Sequence, residues 1–435
     1  MKASAVSLQE WQTLRPEAGG PLAGLGFGDD VVSRDLAEKL TTAGQIDILE
    51  LARGLELRAT SFVGRFQLGG LTVTIQPKLP GAPLMNLLRY AYGLRDLHLF
   101  ESSAYAMQQW TFQDLLIQQL AAEVSELLAR GIHRDYERRA EELAHPRGRI
   151  AFDLVARTRH LARATLPCVH HPRTEDNVLN QMILAGLIHA AKSTSDPELR
   201  AHVRRLCQQL GKGVTTVPLT GQLVSEARLR LDRRSRAYAA ALAIIEILMK
   251  GEGVSLKEEA GGVRLPGFLF DMNRFFQELI SRFLHDHLDG LEVIDEFAMR
   301  GFFAYDPLRN PKGRSAPSQR PDFVIRKERQ ILAVLDAKYR DLWATPLPRE
   351  MLYQLALYAL GFRGADHRAV IVYPTLQPSA KDQAIQISEP IAGVAQAEVI
   401  LRPVNLLVLE EKLRDKSVAG WKERGDLARS LAIGY

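Results

Sequence analysis

Apolar and polar residues alternate along the N-terminal part of the chain, which is the pattern of half-buried β-strands. The alternation is clearest over residues 56–78, where it surrounds Gly69-Gly70. The β-branched run at 71–75 is typical of the second strand of a hairpin whose turn contains the two glycines. We therefore predict a β-rich N-terminal domain over residues 1–105.

Apolar positions spaced three and four residues apart replace this alternation further along the chain. This spacing begins near 84–97 and is strongest over 114–129, which predicts an amphipathic helix. Further helices are predicted at about 176–192, 196–210 and 233–249. We expect a helical middle domain over residues 106–255, with the glycine-rich stretch 250–262 as its C-terminal edge.

Strands and helices alternate in the C-terminal part, which indicates an α/β layer structure. Helices are predicted at 271–286 and 349–361, strands at 292–299, 322–326, 331–337 and 369–373, and a loop rich in proline, arginine and serine at 306–319. The expected fold class is a multidomain α+β protein. Its C-terminal domain, residues 256–435, would be an α/β core with a mixed sheet.

Composition narrows the class of protein. The 435 residues are 46% hydrophobic and 25% charged, which supports ordinary folded cores and excludes a disordered or small disulfide-stapled protein. The two cysteines, Cys168 and Cys207, lack the spacing of a zinc site or a redox motif. Neither a signal-peptide pattern nor an apolar run of membrane-spanning length is visible. We therefore expect a cytoplasmic protein with no membrane partner.

The net charge of +5 is too small to indicate a polyanionic ligand by itself, but its distribution is uneven. Residues 228–236 contain five arginines and one aspartate, and Arg147 and Arg149 flank a glycine. Arginine forks match the geometry of phosphate groups. Such clusters are equally typical of solvated faces and of ion pairs with acidic neighbours, so both interpretations stay open.

Two carboxylates and a lysine stand at the ends of neighbouring predicted strands. Asp322 begins one strand, and Asp336 ends the next with Lys338 two positions later on the same face. A short turn between the strands would bring Asp322 toward this pair. Both carboxylates and the backbone carbonyl of Ala337 would suit Mg²⁺ or Mn²⁺, and Lys338 would orient water or stabilise charge on a phosphodiester. A solvated ion pair is the alternative.

Pro321-Asp322 followed by Asp336-Ala337-Lys338 resembles the motif of the PD-(D/E)xK nuclease superfamily. The resemblance implies a Mg²⁺-dependent nuclease. Gln354, on the next helix, is similar to a glutamine that some of these nucleases place near the metal or the scissile phosphate; a core-network amide is the alternative. Where the superfamily often has an acid on the first helix of its core, this sequence has Gln277, with Glu278 beside it as a further candidate ligand.

A longer series of segments comprises residues 62–78, 131–136 with 147–150, 176–180 and then the nuclease motifs. In this order they resemble the McrC family, the nuclease subunits of McrBC modification-dependent restriction systems. The resemblance implies an AAA+ GTPase partner of the McrB type, which forms a hexameric ring and binds the GTP. This chain contains no P-loop motif of its own.

The resemblance also implies that the N-terminal part of the chain inserts into the partner ring. Gly69 and Gly70 are therefore candidate partner contacts, although a hairpin turn needs glycines in any case. Basic residues close in sequence to Asp322 are expected to contact double-stranded DNA. They are Arg309, Lys312, Arg314 and Arg320.

The expected function is a Mg²⁺-dependent DNA endonuclease subunit that acts with the GTPase, stimulates its GTP hydrolysis and defends against foreign or modified DNA. One alternative is a catalytically degenerate activating and assembly subunit, which the Gln277 departure keeps open. Another is a stand-alone nuclease for DNA repair or end processing. No signature of modified-base recognition is visible in the sequence.

Overall fold

A computed structural model describes residues 4–79, 81–94, 111–155, 164–194, 196–251, 267–362 and 367–434. Within these ranges the protein has twelve α-helices and eighteen strands, arranged in several sheets. The predicted mixture of α and β structure is confirmed. Among the helices of these ranges, none has the length and apolar character that spanning a bilayer requires.

The helices are α1 (Val31–Thr42), α2 (Ala82–Tyr92), α3 (Phe112–Arg130), α4 (Phe152–Val155), α5 (Val178–Ser193), α6 (Pro197–Leu210), α7 (Gly221–Leu229), α8 (Ala239–Gly251), α9 (Met272–His287), α10 (Arg349–Gly361), α11 (Leu406–Arg414) and α12 (Val418–Ile433). The strands are β1 (Ser4–Gln9), β2 (Thr13–Leu14), β3 (Ile46–Leu51), β4 (Gly54–Ala59), β5 (Phe62–Leu68), β6 (Leu71–Gln76), β7 (Asp135–Tyr136), β8 (Arg139–Leu143), β9 (Arg149–Ile150), β10 (Leu166–His170), β11 (Arg173–Thr174), β12 (Gly267–Asp271), β13 (Glu292–Asp295), β14 (Phe323–Lys327), β15 (Gln330–Ala337), β16 (Arg368–Thr375), β17 (Gln383–Ser388) and β18 (Ala395–Asn405).

The chain divides into two compact units. Unit 1 comprises Met1–Val63, Leu68–Asp96 and Leu269–Tyr435, and unit 2 comprises Gly64–Gln67 and Leu97–Phe268. Unit 1 thus joins most of the predicted N-terminal part to most of the predicted C-terminal part. The division into three domains at residues 105 and 255 stays a prediction.

The predicted N-terminal hairpin is confirmed as β5 and β6. They belong to a sheet with the order β1-β6-β5-β12, in which β1 runs parallel to β6. Gly69 takes the left-handed backbone conformation, with φ +58°, that a tight turn between two strands requires. Alternating burial along β6 matches the alternation in its sequence, because successive side chains point to opposite faces.

The main sheet of unit 1 has six strands in the order β13-β14-β15-β16-β18-β17. Strands β14 and β15 form an antiparallel hairpin, whereas β15, β16 and β18 run parallel. Helix α10 connects β15 to β16 and packs on the sheet. Its Leu355 and Tyr358 are buried in one core with Val324, Val334 and Ile371, so this face of the sheet is held by apolar packing.

Several elements differ from the sequence prediction. Helix α8 begins at Ala239 rather than near 233, and strand β13 ends at Asp295 rather than near 299. The predicted helical middle also contains β7 to β11, each of two to five residues. Strands this short are held by their neighbours and show too few residues for an alternation to be recognised.

Candidate active site

The antiparallel hairpin of β14 and β15 brings the two predicted carboxylates together. Phe323 pairs with Leu335, so the next positions outward, Asp322 and Asp336, stand opposite each other. Side chains directly opposite on neighbouring strands have their Cβ atoms about 5 Å apart. Asp336 shares the face of Val334, which is the face that α10 covers.

Hydrogen bonds fix both carboxylates and the lysine. The Ala337 N–H donates to Asp322 Oδ2 over 2.7 Å, and Gln277 Nε2 donates to Asp322 Oδ1 over 3.1 Å. Lys338 Nζ lies 3.0 Å from Asp336 Oδ2, in an ion pair whose carboxylate is almost completely buried. The structure therefore brings Asp322, Asp336 and Lys338 into one cluster.

The pKa values in this cluster are shifted because the fold places two acids beside each other and removes water from them. Burial, and then the charge of Asp336, raises the pKa of Asp322 to about 7. Burial also raises the pKa of Asp336, against the opposing effect of the Lys338 ammonium. Burial alone would lower the pKa of Lys338, but the charges of Asp336 and Asp322 outweigh it and raise that pKa. The lysine therefore stays charged, and the acids repel each other.

Helix α10 carries Gln354 and Tyr358 one turn apart on the same side. Gln354 Nε2 donates to the Tyr358 hydroxyl over 2.7 Å. Tyr358 packs in one core with Val334 of β15. Burial raises the pKa of Tyr358, and the charges of Asp336 and Asp322 add to that rise. In the sequence Tyr358 is notable only for its spacing from Gln354.

Helix α9 presents Gln277 rather than Glu278 to the acid pair. Glu278 is exposed. Burial, and then the Glu278 charge, raises the pKa of Tyr92. The two residues are neighbours, and one residue turns a helix by about 100°. Asn273 on the same helix accepts a hydrogen bond from the Tyr339 N–H over 3.1 Å, which ties α9 to the residue after Lys338. An asparagine in the first turn is usually a capping residue, so this contact has no recognisable sequence signal.

The donor set at the cluster suits a hard divalent cation. The N–H and C=O of one residue in an extended strand point toward the same neighbouring strand. Because the Ala337 N–H points to Asp322, its carbonyl oxygen lies on that side as well. In the described ranges no group of three or more histidine, cysteine, aspartate or glutamate side chains could hold a metal. The two carboxylates and the Ala337 carbonyl are oxygen donors of the kind that such a cation prefers.

The predicted DNA-contacting residues lie on the loop that precedes Asp322. The two ends of this loop meet where the Met299 N–H donates to the backbone carbonyl oxygen of Gln319 over 3.0 Å. All four predicted cations are exposed, and a long contact of 3.9 Å joins Arg309 to Asp306. These four residues are Arg309, Lys312, Arg314 and Arg320. Their role in binding DNA stays a prediction.

The predicted partner contacts lie at the β5–β6 turn. A Cβ added at Gly69 would lie 3.0 Å from Ser33 Oγ, so the chain's own packing already demands a small residue there. Gly70 is partly exposed. Contact of Gly69 and Gly70 with a partner therefore stays a prediction.

The fold and the site define a mixed α/β protein with a buried carboxylate, a half-buried carboxylate and a lysine at the end of a central strand. A family model described as "McrBC 5-methylcytosine restriction system component" matches residues 57–374. The chain belongs to this family, and the resemblance seen in the sequence is confirmed at that level. No match was found among curated proteins.

Two solved structures are similar to the chain. One is a refined half-complex from a tetradecameric assembly of Thermococcus gammatolerans McrB AAA+ hexamers with bound McrC. Its matching chain is 19% identical, the match covers 97% of this chain and 99% of that chain, and the TM-score is 0.65. The other is the cryo-EM structure of the Thermococcus gammatolerans McrBC complex, with 18% identity, coverage of 65% and 88%, and a TM-score of 0.47. The first likeness shows a common fold over nearly the whole chain.

Proposed function

We propose that this protein is a McrC-like endonuclease subunit, which cleaves DNA phosphodiesters in complex with an AAA+ GTPase of the McrB type and stimulates that partner's GTP hydrolysis. The observation that carries the nuclease assignment is the cluster of Asp322, Asp336 and Lys338 at the end of β15. Membership of the McrBC family supports the restriction role and the partner. The similar archaeal assembly, in which McrC is bound to McrB AAA+ hexamers, adds support for the ring.

Asp322, Asp336 and the Ala337 carbonyl would hold Mg²⁺ or Mn²⁺, since oxygen donors are the ligands these ions prefer. When bound, the ion would polarise the phosphodiester and make water a stronger nucleophile. The neighbouring acids repel each other without a cation, which favours binding of a divalent one.

The protein's own side chains would position the remaining groups. Lys338 keeps its charge beside the carboxylates and can donate to a water or to a phosphate oxygen that gains charge. Gln277 is a neutral residue whose side-chain amide donates a hydrogen bond to Asp322 Oδ1. Gln354, which is held by its bond to Tyr358, would donate or accept at the scissile phosphate.

GTP would be bound by the partner, with the β5–β6 turn of this chain as the proposed contact. The exposed loop with Arg309, Lys312, Arg314 and Arg320 would hold double-stranded DNA next to Asp322. Exposed cations near a cleavage site attract phosphates without the need for a strongly basic chain.

A second candidate function is a catalytically inactive subunit that only assembles and activates the GTPase ring. The observation in its favour is Gln277, an amide that occupies the α9 position facing Asp322 where a third carboxylate would complete a metal site. This candidate predicts GTPase stimulation without cleavage.

The test is cleavage of modified DNA by the chain together with its partner GTPase, GTP and Mg²⁺. Asp336→Asn and Lys338→Ala should each lower the cleavage rate by roughly 10²–10⁴-fold, because each removes a group at the reacting phosphate. Stimulation of GTP hydrolysis should be unchanged. Glu292→Gln is the matched control, since it neutralises an exposed acid on β13 of the same sheet.

Wild-type cleavage by Asp336→Asn would rule out the site assignment. Stimulated GTP hydrolysis without any cleavage by the wild-type complex would favour the inactive subunit. Cleavage that needs no partner would favour the stand-alone nuclease.

A further inference from the structure

The turn between α7 and α8, residues 230–236, carries a dense group of arginines that the proposed mechanism does not use. All four arginines of this turn are exposed, and the described part of the chain offers none of the four an ion-pair partner. They are Arg230, Arg233, Arg234 and Arg236. Arg228, just before this turn on α7, is also exposed, but it forms an ion pair with the buried Glu246 of α8.

The turn is held in one conformation by a single aspartate and a single serine. Asp232 Oδ1 accepts hydrogen bonds of 2.8 Å from the Arg234 N–H, the Ser235 N–H and the Ser235 hydroxyl. The Asp232 N–H in turn donates to Ser235 Oγ over 2.8 Å, and Ser235 is 1% exposed. The one acid of the turn therefore binds the backbone and the serine rather than the neighbouring guanidinium groups.

An arginine surface on a fixed backbone suits a phosphate ligand. Side chains that are already presented on one rigid turn lose less conformational freedom on binding than side chains on a mobile segment. Guanidinium forks make paired hydrogen bonds with phosphate oxygens. Of the two interpretations of this arginine-rich segment in the sequence, ion pairing with an acidic neighbour therefore applies to Arg228. The other four arginines form a cationic surface without acidic partners among the described residues.

We propose that Arg230, Arg233, Arg234 and Arg236 form a second DNA-binding surface, in unit 2, which contacts the phosphate backbone of double-stranded DNA. This surface is separate in the chain from the loop that precedes Asp322. The proposal of this surface rests on the proposed function only in that it takes DNA as the substrate. Contacts to phosphates carry no base information, so this surface would bind DNA regardless of its sequence.

The test measures binding of the full-length chain to a fluorescein-labelled DNA duplex by anisotropy, with EDTA present and over a series of KCl concentrations. Arg233→Ala with Arg234→Ala should weaken binding about tenfold or more at low salt. The slope of log K against log[KCl] should become shallower by roughly 1.8, since each lost phosphate contact removes about 0.9. Both side chains are exposed, and the bonds that fix the turn come from backbone groups and Ser235, so the variant keeps its fold.

The matched control is Arg204→Ala with Arg205→Ala. These are also adjacent exposed arginines in unit 2, on α6, and their removal changes the net charge equally. Binding by this control should stay within about twofold of wild type. Arg233→Lys with Arg234→Lys should keep the salt slope and lose part of the affinity, since these changes retain the charge without the guanidinium fork.

Equal losses in the two alanine pairs would show a general charge effect and overturn the proposal. Unchanged DNA binding by the 233/234 pair would also overturn it. If that variant instead weakened binding to the AAA+ partner alone, the surface would be a protein contact, for which the neighbouring Leu229, 87% exposed, offers an apolar group. If the wild-type complex never cleaves DNA while Arg233→Ala with Arg234→Ala shows the expected loss of DNA binding, only the proposed nuclease function would be refuted.

Discussion

Buried and half-buried acids are the most informative single residues of this protein. They differ in the hydrogen-bond and ion-pair partners that the fold gives them. Asp336 has the Lys338 ammonium, and Asp322 accepts bonds from Ala337 and Gln277. Glu10 is 1% exposed and has only half of its carboxylate satisfied. Its Oε1 accepts from the Lys78 N–H and the Tyr339 hydroxyl, while Oε2 has no partner among the described residues. An unsatisfied buried oxygen makes ionisation of Glu10 costly.

Burial accordingly raises the pKa of Glu10 from 4.5 to about 7. The native carboxyl keeps its proton to a higher pH than the unfolded one. The contribution of this shift to the free energy of unfolding is fully present below pH 4.5 and is lost as pH rises through about 7. The folded protein should therefore be less stable at pH 8 than at pH 5, as far as this residue is concerned.

Glu10→Gln should remove this dependence, because glutamine keeps an acceptor for Lys78 and Tyr339 and never ionises. Relative to wild type, the variant should gain roughly 2–3 kcal/mol in the free energy of unfolding between pH 5 and pH 8. Urea unfolding at both pH values measures the difference. Glu38→Gln, at an exposed acid of α1, is the control and should show no such gain. An equal effect of Glu10→Gln at both pH values would contradict the linkage.

At the scale of elements, one buried asparagine joins α5, the segment that precedes α8 and the segment before β7 in unit 2. Asn180 Nδ2 donates to the backbone oxygens of His133 and Glu175 over 2.9 and 2.6 Å. Its Oδ1 accepts from the Tyr238 hydroxyl over 2.6 Å, and that hydroxyl also accepts from the His133 N–H. Asn180 belongs to a segment that marked the family resemblance in the sequence. The structure supplies its physical reason, a saturated polar network in a buried core.

Asn180→Ala should lower the free energy of unfolding by about 2–4 kcal/mol, since two carbonyls and a hydroxyl lose a buried partner. Lys192→Ala on the exposed side of α5 is the control and should change it by less than about 0.5 kcal/mol. Thermal and urea unfolding of the full chain would measure both. A loss for Asn180→Ala no larger than the control's would mean that water replaces the network without cost.

At the scale of the whole molecule, the proposed function gives the chain two separable tasks: activation of a GTPase ring and cleavage of DNA. The β5–β6 turn and the Asp322 cluster are different elements of unit 1. The modest net charge of +5 fits this arrangement, because local cationic segments such as the loop before Asp322 and the α7–α8 turn can attract phosphates without a strongly basic chain.

Gly70→Arg should therefore impair partner activation and not the chemistry of the nuclease site. At limiting chain concentration, stimulated GTP hydrolysis should fall about tenfold, which corresponds to a loss of about 1.4 kcal/mol in affinity for the ring. The control is Ala43→Arg, a small-to-arginine change at another exposed position of unit 1. Full stimulation by Gly70→Arg would exclude the turn as a partner contact.

Sequence periodicity alone determined several of the longer helices and strands of this protein. The β5–β6 hairpin, α3, β15 and α10 were all predictable, because a strand or helix with one buried face must repeat its apolar residues with the period of its backbone. The facing of Asp322 and Asp336 was also predictable, since a short turn between two strands leaves few registers. The motif spacing was enough to indicate the family.

Only the tertiary structure decided the contacts between residues distant in the chain. It set Gln277 rather than Glu278 against Asp322, buried Glu10 beside Tyr339, and exposed four arginines of the α7–α8 turn while pairing Arg228. No local pattern encodes such contacts, because the free energy of a charged or polar side chain depends on which groups the fold places around it and how much water it removes.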